Sequence, residues 1–129
     1  GAERKESRLR FIQEYWTSKV RTVPRIIINT PVESHRACGI ANVGIEGIKP
    51  GDLAKRLLDE HRVYTVAIDG ANVYGCRITP NVYTTTDELD QFVAALKQLH
   101  SLRQCGDCGI NLSNIVVRRQ RQAHCAGLL

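Results

Sequence analysis

Residues 63–80 read Val-Tyr-Thr-Val-Ala-Ile-Asp-Gly-Ala-Asn-Val-Tyr-Gly-Cys-Arg-Ile-Thr-Pro. Val63 to Ile68 is a β-branched and aromatic run, the composition of a strand. Asp69-Gly70-Ala71-Asn72 is turn chemistry, and Gly75 to Thr79 is a second short run stopped by Pro80, which has no N–H to give to a ladder. Two strands that flank a turn in this way pair antiparallel. An antiparallel sheet needs cover on its apolar face, and the flanking sequence supplies it as helices.

Upstream, Leu9, Ile12, Trp16 and Val20 fall at spacings of three and four within residues 7–21. That is one face of an amphipathic helix, which Pro24 ends. Ile26 to Ile28 reads as a buried strand closed by Asn29-Thr30-Pro31, and residues 31–36 form a hairpin-like loop. Residues 37–46 suit a second strand, in which Gly39 and Gly44 imply a bulge or a close backbone contact. Pro50 and Asp52 open a middle helix that carries Leu53 and Leu57 on one face and ends near His61. Downstream, Thr85 and Glu88 form a capping box ahead of Leu89, Phe92, Val93, Leu96 and Leu99 at helical spacing. The predicted order is α-β-β-α-β-β-α. It gives an α+β two-layer sandwich with a mainly antiparallel sheet of about four strands and helices on one face. Residues 1–100 are read as one domain and 101–129 as a C-terminal extension.

The chain has 129 residues, 43% of them hydrophobic and 24% charged, as in ordinary globular proteins. No run approaches the roughly 20 apolar residues of a membrane helix, and Gly1-Ala2-Glu3-Arg4-Lys5-Glu6 lacks the apolar centre of a signal peptide. The sequence is therefore read as cytoplasmic, with no membrane partner. The net charge is +5. Residues 1–100 hold 14 basic against 12 acidic side chains, so most of the excess lies beyond residue 100, where Arg118, Arg119 and Arg121 cluster. No aromatic residue is interleaved there to stack on bases, which argues against nucleic acid as a partner. Five cysteines are an odd number and do not read as a disulfide framework. Cys38 and Cys76 fall within predicted strands and are read as reduced core residues. Cys105-x-x-Cys108 followed by glycine resembles one half of a zinc knuckle, and His124-Cys125 could supply further ligands at irregular spacing. The segment is read as an inert tail with no metal site assigned, and zinc binding and thiol redox chemistry are the alternatives.

The segment Gly75-Cys-Arg-Ile-Thr-Pro-Asn-Val-Tyr-Thr84 closely resembles the motif near the C-terminus of class V aminotransferase-like enzymes. These depend on pyridoxal phosphate and include cysteine desulfurases and isopenicillin-N epimerase-like proteins. The resemblance covers roughly residues 8–100. It implies the family's small domain, with Arg77 binding the α-carboxylate of an amino-acid-like substrate through a guanidinium fork that lysine cannot reproduce. Tyr83 is read as a packing residue with a bonded hydroxyl, Thr84 and Thr85 as helix caps, and His35 as a solvated loop residue. His61 and His100 are placed at helix C-termini, where a positive charge suits the dipole.

The family's larger domain, which carries the Schiff-base lysine, has no counterpart in the resemblance. None of Lys5, Lys19, Lys49, Lys55 and Lys97 lies in a matching context. Such a chain is expected to hold no pyridoxal phosphate of its own and to be inactive alone, whether as a stand-alone or a truncated small domain. Its expected partners are a second copy of itself or a separate large-domain chain, with weak binding of small carboxylates. The alternative is a non-enzymatic binding or assembly module that keeps the fold, with a Cys/His tail able to hold a metal.

Overall fold

In a computed structural model that describes residues 1–106, the hairpin forms one side of a four-stranded antiparallel sheet. The chain runs through α1 (Ala2–Val20), β1 (Ile26–Ile28), a 3₁₀ turn (Ser34–Arg36), β2 (Ala41–Ile45), α2 (Pro50–His61), β3 (Val66–Gly70), β4 (Val73–Ile78) and α3 (Thr86–Gly106). This is the expected α+β order. The strands lie in the order β1-β2-β4-β3, so β2 and β4 are central and the hairpin strand β3 is an edge.

Side chains alternate across a strand, and the register decides which of them meet the helices. Ile26 lies opposite Ile45, Val43 opposite Cys76, and Cys76 opposite Ala67. Ile26, Val43, Ile45, Cys76 and Ile78 are buried against the helical layer. The helices answer with Ile12, Trp16 and Val20 from α1, Leu53 and Leu57 from α2, and Leu89, Phe92, Val93, Leu96 and Leu99 from α3, all in one core cluster. Trp16 meets Phe92 edge-on at 5.3 Å between ring centroids, an arrangement that aromatic quadrupoles favour.

The structure moves several predicted boundaries. The hairpin turn is tighter than the four residues expected: only Ala71 and Asn72 are central, both with positive φ (51° and 62°). Positive φ at both central residues is the pattern of a two-residue type I′ turn, whose twist matches that of the flanking strands. Conversely, β3 begins at Val66 instead of Val63. Arg62 takes the left-handed conformation after α2, and the N–H groups of Arg62 and Val63 donate to the carbonyls of Leu58 and Leu57. The Arg62 bond is the αL closure, from the left-handed residue to the carbonyl four positions earlier, and the Val63 bond wraps outside it, so Val63 is spent on closing the helix.

The second strand is also shorter than predicted. Arg10 Nη1 donates to the Ala37 carbonyl, and Gly39 packs so closely on Leu9 that an added Cβ would lie 3.0 Å from Leu9 Cδ2. Residues 37–40 are thus held by α1 and not by a ladder. Cys38 is exposed in consequence, not a core residue. Cys76 is buried as expected, its thiol donates to the Pro50 carbonyl at 3.4 Å, and burial pushes its pKa up.

At the start of α3 the capping box is formed: Glu88 N–H donates to Thr85 Oγ1 at 3.2 Å and Thr85 N–H to Glu88 Oε2 at 2.8 Å. The bond from the Thr85 backbone holds the Glu88 carboxyl below the usual carboxylate range. The helix then continues to Gly106. His100 consequently lies inside α3 and is buried, not at a helix end as predicted, whereas His61 is the last residue of α2. Lys19 and Tyr15 both bond Asp90 and tie α1 to α3. No helix among the described residues is long and apolar enough to cross a membrane.

Candidate functional site

Arg77 is the penultimate residue of β4, and its parity sets it opposite the helices. Cys76 and Ile78 point into the core, so Arg77 and Gly75 fall on the opposite face of the sheet, which is bare among the described residues. The guanidinium is exposed and makes no hydrogen bond or ion pair among the described residues. Its environment differs from that of Arg8, which donates to the carbonyls of Val82 and Thr84, of Arg10, bound to Glu6 and Ala37, and of Arg21, bound to the Thr30 carbonyl. Those arginines are fastening devices. Arg77 is not.

The neighbours of Arg77 follow from the register. Asn42 on β2 and Val66 on β3 are its cross-strand partners and share its face. Asn42 is itself held in place: its Oδ1 accepts from Asn29 Nδ2 at 2.6 Å, and its backbone N–H donates to Thr30 Oγ1 at 2.9 Å. Asn29 Nδ2 also reaches the Tyr74 carbonyl at 3.2 Å, so its amide bridges β2 and β4. Gly75 makes room for this bridge. An added Cβ there would lie 2.5 Å from Asn42 Oδ1 and 2.6 Å from the Val43 carbonyl oxygen. The result is a shallow groove of about 270 Å³, with Arg77, Asn42 and Thr30 as its polar side chains and Ile40, Ile68 and Val73 along its apolar side.

A free guanidinium beside a fixed amide, over an apolar wall, can take a carboxylate. Arg–carboxylate pairing is bidentate, and the two oxygens of the anion offer about four lone-pair sites. The groove does not fit pyridoxal phosphate by itself, since none of the five lysines lines it.

Two larger cavities carry less chemistry. One of about 420 Å³ lies between α1 and residues 31–37, and the arginines in its wall, Arg10 and Arg21, are committed to loop carbonyls. Another of about 380 Å³ lies between the end of α2 and the start of α3. His61 Nε2 and Thr65 Oγ1 in its wall lack hydrogen-bond partners, but both atoms are sealed from solvent and cannot meet a ligand in this conformation.

The other motif residues divide. Thr85 caps α3 and the Thr84 hydroxyl accepts from Asn81 N–H at 3.0 Å, so both serve the turn into the helix, as expected. Tyr83 is 87% exposed and without a hydrogen bond among the described residues, not a packing residue. The 3₁₀ turn leaves His35 exposed. The candidate zinc ligands Cys105, Cys108, His124 and Cys125 lie outside the residues whose side chains are described. Sequence reasoning missed Asn29 and Asn42. The available signal was Asn42 itself, a polar residue alternating with Ala41 and Val43 in an otherwise apolar strand.

No protein-family model matches the chain, and no curated protein matches it significantly. Solved structures do. The chain is similar to the cysteine desulfurase of Thermococcus onnurineus NA1 in its apo form, with a TM-score of 0.68 at 18% identity. That match covers 78% of this chain and 27% of the desulfurase. It is also similar to alanine–glyoxylate aminotransferase from Nostoc sp., with a TM-score of 0.59 at 22% identity over 71% of this chain and 25% of that one. The chain therefore has the fold of a segment that makes up about a quarter of each of these two enzymes.

Proposed function

We propose that this chain is the substrate-carboxylate arm of a class V pyridoxal-phosphate enzyme, and that Arg77 binds the α-carboxylate of an amino-acid substrate. The observation that carries the proposal is the unspent guanidinium of Arg77 on the bare sheet face, in a fold shared with cysteine desulfurase and alanine–glyoxylate aminotransferase segments. In this reading the cofactor and its lysine belong to a large domain, present in the same polypeptide or in a separate one. The 129-residue chain alone is accordingly a binding element without turnover. Binding energy from a part of the substrate that does not react is what such an arm supplies, by fixing the reacting atoms in place.

The groove is open to water, which weakens charge pairing, so affinity for a free amino acid should be millimolar or poorer, about 4 kcal/mol. Titration of the chain with L-alanine, followed by amide chemical shifts, is expected to perturb residues around Arg77, Asn42 and Ile68. Arg77→Ala is expected to abolish the response. Arg77→Lys should restore little of it, because an ammonium lacks the planar fork. Micromolar binding that survives Arg77→Ala would show that the ligand site lies elsewhere.

A further inference from the structure

The fixed amide beside Arg77 has a direction. Asn42 Oδ1 is occupied by Asn29 Nδ2 at 2.6 Å, which identifies the oxygen end of the Asn42 side chain and leaves its Nδ2 without a partner among the described residues. Asn29 is in turn anchored to the Tyr74 carbonyl, and Asn42 N–H to Thr30 Oγ1, so the amide is held from both sides. Directly opposed cross-strand residues have Cβ atoms about 5 Å apart, and Asn42 and Arg77 are such a pair. Both line the same groove.

We propose that Asn42 Nδ2 is the second donor of the carboxylate site, bonding the same anion as the Arg77 guanidinium, and that Asn29 acts through Asn42 as a positioning residue. The inference rests on the carboxylate reading of Arg77 given above. A carboxylate that receives two parallel N–H bonds from Arg77 keeps lone pairs free, and a neutral amide can fill one without adding charge. The apolar side of the groove, Ile40, Ile68 and Val73, suits a ligand whose body is a short aliphatic group. The site therefore selects a compact monocarboxylate. A lysine or a second arginine in place of Asn42 would attract any anion, whereas the Arg–amide pair favours a planar acceptor with a single charge.

Isobutyrate is the probe, because it has the carboxylate and an apolar body but no ammonium group, and isobutyramide is its uncharged control. Both are titrated into the full 129-residue chain and followed by amide chemical shifts. Native protein is expected to respond to isobutyrate around Arg77 and Asn42 and to be nearly silent to isobutyramide. Asn42→Ala should weaken isobutyrate binding about fivefold, the effect of one exposed charge-assisted bond. Asn42→Asp, which can still accept from Asn29 and so preserves the local fold, should abolish binding by placing a carboxylate against the ligand. Asn29→Ala should weaken binding about twofold, and this loss should vanish in the Asn42→Ala background, as expected for a residue that acts only through Asn42.

Native-like affinity in both Asn42→Ala and Asn42→Asp, with binding still lost in Arg77→Ala, would overturn the role of Asn42 and leave the Arg77 reading standing. Binding indifferent to Arg77→Ala, or absent from native protein, would overturn both. Equal response to isobutyrate and isobutyramide would show that the groove recognises only the apolar body and overturn both as well.

Discussion

Gly75 shows how one residue connects backbone packing to the candidate site. The Asn29–Asn42 bridge lies across β4 only because position 75 carries no side chain; a Cβ there would come within 2.6 Å of the Val43 carbonyl oxygen as well as 2.5 Å of Asn42 Oδ1. The side-chain amide could swing away, but the carbonyl belongs to a central strand and cannot. Gly75→Ala is therefore expected to destabilise the fold by about 2 kcal/mol, in the range of overpacking substitutions. It should also displace Asn42 and weaken carboxylate binding further than stability loss explains. Urea titration read by circular dichroism checks the first effect, and isobutyrate titration under folding conditions the second. A Gly75→Ala variant with native stability and native binding would mean that the strands separate at little cost and that the close approach is not required.

At the scale of elements, the hairpin carries a correctable fault. Ala71 and Asn72 both take positive φ, where Asn is tolerated but Ala, with a Cβ and no side-chain hydrogen bond, is strained by roughly 1 kcal/mol. Replacing the pair with Asn-Gly, the preferred type I′ sequence, should raise stability by about 1 kcal/mol. The urea midpoint should rise at unchanged slope. An unchanged midpoint would show that the turn relaxes into another form in solution. The same hairpin shows how far the sequence was legible. Periodicity, proline stops and the Thr85–Glu88 cap located every helix and strand, because these signals are local. The ends were misplaced where a distant or non-repeating contact decided them: the left-handed closure at Arg62 took Val63 from β3, and contacts of α1 with Ala37 and Gly39 took residues 37–40 from β2. Cys38 was misassigned for that reason. His100 was misassigned because α3 passes its predicted end. In the candidate site Arg77 was legible from its motif, whereas Asn42 required the strand register, which pairs it with a residue far along the chain on the other side of α2.

At the scale of the whole molecule, the described residues cover the sheet on one face only. An antiparallel sheet can present a polar face to water, but here Ile27 is 44% exposed and Ile40 57%, and Ile68 and Val73 are only half-buried beside the Arg77 groove. This is also the face from which Arg77 would reach a substrate, so cover over the apolar residues and completion of the site make the same demand. In the two solved enzymes the matched segment is about a quarter of the chain, with the remainder available to pack against it. Without such a body, contiguous apolar surface tends to be buried by self-association. The 129-residue chain is therefore expected to form a concentration-dependent homodimer through this face, in competition with ligands of the Arg77 groove, so carboxylate titrations are read below the dimer dissociation constant. Ile27→Lys combined with Ile40→Lys should raise the dimer dissociation constant at least about tenfold, or roughly 1.4 kcal/mol. Both side chains are largely solvated in the monomer, so its thermal midpoint should change little. Light scattering across a dilution series reads the first effect and calorimetry the second. A native chain that remains monomeric at every concentration would locate the apolar residues under cover from the chain itself. A dimer that tolerates both lysines would place its interface on another surface and leave the groove accessible.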